Sequence, residues 1–561
     1  MTLAPISPSP ENHPLSPGES PHSPCSAPQL VVDTTTLGEL LADSPETKWI
    51  GDKSAPQTKI SGLAIASSQI HPSWLFVGVP GENTHGAKYS PAAKEAGAAA
   101  ILTDNEGAKL AKETGLPIAV VENPRQLAGH VAAKLYASAL EPLLKVGVTG
   151  TNGKTTTTYF VRAALRAKYK HIGLMGTVEV DTGYRQERQL RTTAEAPVLY
   201  RNLAEMSAWG MRGAVIESSA HALSLGRLNG LCFDLSIFTN LQHDHLDYYD
   251  TMEKYFDAKA QLFAPERCRR GVVCVDDKWG LRLAEIAKVP VDTVAVLTDN
   301  LPRSASGDSK REDFGGEHSH WWVSDIDAHL ETGGMAFNLH SPDGQVYAAI
   351  CPLPGKVNIQ NAALALVAAT KLGVPMEQAI EEVKHCPPIP GRSTWVFGDP
   401  LRQPRCLIDY AHTPEALAAL LDTLRPYVTG SGRLIAVFGT DGDRDASKRE
   451  ELAKLAAQRA DVIWITDENP RWEDPQSIRD YLLRGIAKVR PNMENVTEIK
   501  TSRRDAIRKA IHHAEPKDLI VISGKGSEPY QEIEGVFYKY DDADEVRQVL
   551  MDSLKIIRPL R

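Results

Sequence analysis

The chain has 561 residues, 42% of them hydrophobic and 24% charged, an ordinary globular composition with room for about three to four domains. A net charge of −9 argues against a general binder of nucleic acid or anionic membrane, and no apolar run approaches the roughly 18 residues of a membrane span. Seven cysteines (25, 232, 268, 274, 351, 386 and 406) are scattered with no C-x-x-C pair, which speaks against a disulfide framework or zinc site and fits a reducing cytoplasm.

Residues 1–29 are rich in Pro and Ser and lack the basic-then-apolar pattern of a signal peptide, so they read as a disordered tail. A first small domain, 30–140, alternates strand-like 75–79 and 98–102 with helix-like 92–97, which implies an α/β layer. A second domain, 141–387, opens with the apolar run 143–148. It continues through Gly150, Thr151, Asn152, Gly153, Lys154, Thr155 and Thr156 into a helical pattern over 155–167. A strand, a glycine-rich turn and a helix start form the setting in which backbone N–H groups and a helix N-terminus hold phosphate. There Lys154 reaches the outer phosphates and the Thr155 hydroxyl ligates magnesium. The glycines follow Gly147-x-x-Gly150-x-x-Gly153-Lys154-Thr155, a variant of the general P-loop spacing.

Three later segments are expected to flank this loop. The strand within 213–221 brings Glu217 to its carboxyl end, the layer where ligands gather in a parallel sheet and where a metal ligand belongs. The strand 235–240 leads into His243, Asp244, His245 and Asp247, a mixture that suits metal or phosphate chemistry better than core packing. The third is a helix over 252–263 containing Lys259, which local sequence alone reads as a solvent-facing lysine. Residues 302–320 read as a polar surface insertion, 355–361 as a segment preceding the alanine-rich helix 362–372, and 387–392 as a proline-stiffened linker. The third domain, 388–561, has strands at 406–408, 434–438, 462–465 and 519–522. Each ends in a polar cluster, as expected of one binding face on a doubly wound sheet.

Gly150–Thr156, Asn240-x-x-x-Asp244-His245-x-Asp247, the run 409–414, Gly442-Asp443-Arg444-Asp445 and Asn469-Pro470-Arg471 occur in this order, and together they resemble the Mur ligases of peptidoglycan synthesis over nearly everything after about residue 35. Similarity is greatest to the members that add the third residue of the stem peptide. The resemblance implies three α/β domains: a small N-terminal one, a central P-loop ATPase-like parallel sheet and a Rossmann-like C-terminal one. It implies an ATP- and Mg2+-dependent cytoplasmic ligase, working as a monomer, that activates UDP-MurNAc-L-Ala-D-Glu as an acyl phosphate and joins it to a diamino acid. In that pattern Thr155 and Glu217 hold one magnesium, His245 a second, and Lys259 becomes a carbamate ligand. Lys154, Glu217, His245 and Lys259 are then catalytic. Asn358, Arg392 and Asp409 lie around the nucleotide.

Ile65, Ser67, Glu82, Asn83, Thr84, Thr192, Thr193, Ser219 and Arg227 match the UDP-muramoyl dipeptide site, although Ala66-Ser67-Ser68 departs from the family's Asp-Ser-Arg. Arg444, Glu468, Asn469, Pro470, Arg471, Gly524 and Glu528 match the acceptor site. Arg471 occupies the selecting position, where a two-pronged guanidinium suits the second carboxylate of meso-diaminopimelate. Glu468, with its negative charge kept, replaces an aspartate, and Ser527 replaces a histidine, which leaves lysine or ornithine as alternative acceptors. A folylpolyglutamate-synthase-like ligase, a P-loop motor or switch, and an inactive scaffold are the remaining alternatives. The intact set Lys154, Thr155, Glu217, His245 and Lys259 weighs against the last two.

Overall fold

A computed structural model of the chain describes residues 30–51, 53–81, 84–188, 191–296, 319–329 and 333–555. Its first sheet has the order Lys48–Ile50, Ile118–Val120, Ala100–Thr103, Trp74–Gly78, Gly62–Ala64, the last four strands parallel. The two strands expected here lie within a residue or two of their positions, separated by the helix Ser90–Glu95.

The central sheet has eleven strands, and seven neighbours in it run parallel. The strand Leu144–Thr149, which feeds the glycine-rich turn, lies between Gly213–Glu217 and Leu235–Phe238. Both neighbours are buried along their whole length, as parallel strands covered on two faces must be. This order sets the carboxyl ends of three strands side by side. Antiparallel strands close both flanks of the parallel set. The insertion expected at 302–320 falls outside the described residues as far as 318, and Ser319 and His320 instead open the long strand Ser319–His329. Asn358 does not precede a helix as expected, because the helix runs from Lys356 to Lys371 and places it in the first turn.

In the third sheet the order is Thr394–Val396, Arg405–Asp409, Leu519–Ser523, Leu434–Phe438, Val462–Ile465, Val496–Glu498; all but the first are parallel. The four expected strands are its centre, and the two short edge strands were not legible in the sequence. Thr413 caps the helix Pro414–Leu424, its Oγ1 accepting from Ala416 N. This sheet docks on the antiparallel end of the central one, where Trp395 Nε1 donates to Gly333 O at 3.2 Å and Tyr427 OH to Gly334 O at 2.7 Å. No helix among the described residues is long and apolar enough to cross a membrane.

Candidate active site

The glycine-rich turn is braced from the neighbouring strand end. Thr151 N donates to Asn240 O at 2.9 Å, Asn152 N to Asn240 Oδ1 at 3.0 Å, and Thr239 Oγ1 to Asn152 O at 2.6 Å. Gly150 sits at φ 146°, and a Cβ there would fall 1.9 Å from Thr239 Oγ1. Gly153, at φ 86°, would carry its Cβ 2.4 Å from Asn361 Oδ1, an atom that also accepts from Thr157 Oγ1 at 3.1 Å. The turn is thus shaped by close approach of side chains as well as by its own dihedrals.

The helix Lys154–Tyr169 starts at the turn, its first residues Thr155 and Thr156 buried. Lys154 Nζ curls back onto Gly150 O at 3.0 Å and Thr151 O at 2.9 Å. Burial holds its amine below the ordinary lysine value, opposed by the charges of Glu217 and Asp244. Glu217, 1% exposed, is fixed through Oε1 by Thr177 N at 2.9 Å and through Oε2 by Thr177 Oγ1 at 3.0 Å. A positioned carboxylate beside the phosphate turn is the donor type that Mg2+ takes, and Mg2+ commonly fills its remaining positions with substrate phosphates and water.

Lys259 overturns the solvent-facing expectation. It is 1% exposed, its Nζ donating to Gly150 O at 2.8 Å and lying 4.5 Å from the centre of the Tyr255 ring. Burial first, then the positive charge of Lys154, pushes its pKa well below the usual lysine value. A shift in this direction favours the neutral, nucleophilic amine, the form that adds carbon dioxide to become a carbamate. His245 stands in the left-handed region at φ 53°, its Nε2 3.4 Å from Asp244 and its ring 6.0 Å from Tyr255. Tyr255 therefore lies between the lysine and the histidine. Among the described residues no three His, Cys, Asp or Glu side chains gather into a metal cluster.

Thr192, Thr193, Ser219 and Arg227 converge beside Glu217. Thr177 Oγ1 bonds both Thr192 Oγ1 (3.1 Å) and Glu217; Thr193 Oγ1 donates to Glu217 O at 2.7 Å and lies 3.2 Å from Ser219 Oγ. Arg227 donates to Thr193 O at 3.1 Å and pairs with Glu195 at 3.0 Å. Arg125 of the first sheet's layer pairs with the same Glu195 at 2.8 Å. In the first layer Ser67 begins a short 3-10 turn after the strand Gly62–Ala64, and Ile65 lies half-buried between the two. Thr84 is exposed, and Glu82 and Asn83 lie outside the described residues.

Asn358 donates to Pro354 O at 2.7 Å and accepts from Asn361 Nδ2 at 3.2 Å, and Asn361 in turn meets Thr157 on the phosphate turn's helix. Asp409 accepts from Ser393 N at 2.7 Å and Ala411 N at 2.8 Å, tying the linker to a strand end, and Arg392 stacks over the Tyr410 ring at 4.7 Å.

At the third sheet, Asn469 is the hub. Its Nδ2 donates to Asp441 at 3.0 Å and Glu528 at 2.9 Å, and its Oδ1 accepts from Lys525 Nζ at 2.8 Å. Pro470 packs its carbonyl against Gly442, where a Cβ would lie 1.9 Å away. Gly524 N donates to Asp409 O at 3.2 Å, which joins two of the strand-end clusters. Arg471 belongs to the same group, but Arg444 is exposed. Glu468 is 4% exposed, and burial pushes its pKa up to about 8, with Asp441 adding to the rise. At neutral pH it therefore holds a proton, against the expectation of a kept charge. Asn361, Tyr255, Asp441, Lys525 and Glu532 were not singled out from sequence. Lys525 and Asp441 stood in recognised strand-end runs, Tyr255 in the helix around Lys259 and Asn361 at the end of the run 355–361, whereas Glu532 carried no local signal.

Three family models match the chain: "Mur ligase family, catalytic domain" over residues 59–136, "Mur ligase middle domain" over 148–369, and "Mur ligase, glutamate ligase domain" over 391–526. A UDP-N-acetylmuramyl-tripeptide synthetase of Leifsonia xyli subsp. xyli is 41% identical, covering 88% of this chain and 92% of its own. A UDP-N-acetylmuramoyl-L-alanyl-D-glutamate–2,6-diaminopimelate ligase of Streptomyces coelicolor is 39% identical over 89% of this chain and 93% of its own. A solved structure of a ligase with that same name superimposes with a TM-score of 0.63 at 29% identity, covering 93% of this chain and 99% of the other. MurF of Thermotoga maritima, solved with ADP, shares the fold with a TM-score of 0.57 at 15% identity, over 89% of this chain and 98% of its own.

Proposed function

Since the chain belongs to the Mur ligase family, we propose that it is an ATP-dependent, ADP-forming ligase joining meso-2,6-diaminopimelate to UDP-MurNAc-L-Ala-D-Glu in peptidoglycan precursor synthesis. Relatives named for this reaction support the reading along most of their length. The observation that carries it is the convergence of Lys154 and the buried Lys259 on Gly150 O of one glycine-rich turn, with the charge of Glu217 acting on Lys154. Residues 30–140 with 141–387 hold the UDP substrate, 141–387 the ATP, and 388–561 the acceptor. The enzyme acts as a cytoplasmic monomer and uses no nucleic acid or membrane.

Two anions, the substrate carboxylate and the γ-phosphate, have to meet before any bond forms. Lys154 and the backbone N–H groups of the turn draw charge from the phosphate, and positioning with charge neutralisation supplies most of the catalysis in phosphoryl transfer. Thr155 and Glu217 would hold one Mg2+ and His245 and carbamylated Lys259 a second, which would supply charge neutralisation to the oxygens of both partners. The carboxylate oxygen takes the γ-phosphoryl group, releasing ADP and leaving an acyl phosphate. The acceptor amine attacks its carbonyl carbon, a proton leaves the nitrogen, and the tetrahedral intermediate expels phosphate. Arg227 and Thr193 position the muramoyl substrate, while Arg392 and Asp409 fix the hinge that brings the third domain over it. ADP release, measured with all substrates and with each omitted in turn, tests the reading. Turnover that ignores the muramoyl dipeptide would refute it.

A further inference from the structure

Arg471 meets the acceptor pocket already paired. Its backbone is anchored at φ 55° by a bridge to Ile533, its N–H donating to Glu532 O at 3.1 Å and its carbonyl accepting from Glu534 N at 2.7 Å. From there Nε donates to Glu532 Oε2 at 3.1 Å, Nη2 to Asp441 Oδ2 at 3.0 Å and Nη1 to Gly442 O at 3.2 Å. Asp441 is itself fixed, since its other oxygen accepts from Asn469 Nδ2 at 3.0 Å. The three charged side chains are 17%, 26% and 19% exposed for Arg471, Asp441 and Glu532, so water screens them only in part.

The local charge is unbalanced. Two carboxylates, Asp441 and Glu532, share the single guanidinium of Arg471, which leaves one negative charge in excess around it, while Lys525 and Glu528 balance each other. A carboxylate at the far end of an acceptor needs the guanidinium edge that Asp441 occupies. To take it, the acceptor has to push Asp441 aside or lie against it, and like charges at that range repel. An acceptor that ends in a bare ammonium makes no such demand and meets the surplus negative charge.

We propose that Asp441 is a specificity-determining residue whose carboxylate competes with the acceptor's distal carboxylate for Arg471, narrowing the preference for diaminopimelate over diamino acids with a single carboxylate. Glu532 contributes the same competition from the Nε edge. The inference rests on the ligase reading above.

Asp441→Asn keeps the shape and the oxygen that Asn469 binds while removing the charge. In wild type and variant, kcat/KM for meso-diaminopimelate is divided by kcat/KM for L-lysine. The ratio is expected to rise tenfold or more in the variant, mainly through a lower KM for diaminopimelate with kcat little changed. A ratio that stays level, or moves toward lysine, overturns the proposal. Glu532→Gln, whose backbone bonds to Arg471 survive, reads the same competition should the first variant fail to fold. Calorimetric titration of each amino acid into the protein gives the ratio as affinities without turnover. A wild type that forms no product with either acceptor therefore counts against the ligase reading alone, and the binding ratio still decides the role of Asp441.

Discussion

Replacing Lys259 by Ala separates the chemistry of its amine from its packing. The side chain is 1% exposed with its Nζ over the Tyr255 ring, so the substitution deletes three buried methylenes. At about 0.8 kcal/mol each the loss is roughly 2 kcal/mol, tolerable against a typical total of about 5–15 kcal/mol. The variant should fold, with melting lowered by a few degrees. Catalysis should suffer more. Losing one preorganised charge stabiliser typically costs about 10²–10³-fold in turnover. An ordinary lysine near pH 7.4 is neutral in roughly one molecule per thousand, and each unit by which burial lowers its pKa raises that share about tenfold. Carbamate formation is thereby favoured without any catalyst. ADP release by the alanine variant should fall by at least two decades, and acetate or formate filling the vacated space should restore part of it. A carbamate signal from ¹³C-bicarbonate should appear in the wild type and vanish in the variant. A folded variant with wild-type turnover refutes the reasoning.

Lys154→Ala removes the cation nearest the outer phosphates and should lower turnover by about 10²–10³-fold; undiminished turnover would mean the turn is not the ATP site. Arg471→Ala should weaken diaminopimelate by roughly 2–5 kcal/mol, read as a rise in its apparent KM, and a preference of the wild type for lysine or ornithine at equal concentration would overturn the acceptor assignment. Glu468 has a folded-state pKa of about 8 against an ordinary 4.5, so its contribution to stability is fully present below pH 4.5 and is lost as pH rises toward 8. Denaturant melts of wild type and Glu468→Gln from pH 5 to 9 should diverge by roughly 4 kcal/mol in favour of the variant, and parallel curves would refute the buried protonated acid.

The phosphate turn and most core strands were legible because their signals are local: runs of Val, Ile and Leu, then glycines followed by Lys154 and Thr155. Glu217 and Asn240 were legible at one remove, since a strand's last residue faces the ligand layer once the sheet is parallel. Asn361 was not, for it meets Thr157 from 204 positions away and only folding reveals the pairing. The same holds for Asp441 and Glu532 on Arg471, three residues from three separate strand ends or hairpins. Lys259 was misread from its helix alone, because the face it presents is covered by the turn at Gly150, far back in the chain. Glu468 was misread for a related reason. Its type suggests charge, but its depth decides protonation.

The crowding at Gly150 and Gly153 bears on inhibition. An added methyl would strike Thr239 Oγ1 at the first and Asn361 Oδ1 at the second, and both backbones lie where side chains are rarely tolerated. Every single-codon replacement of either glycine enlarges it, so each deforms the turn proposed to hold the nucleotide. A compound anchored on these two peptide units leaves a resistant strain no one-step exit there, and selection would have to act on the more permissive rim instead.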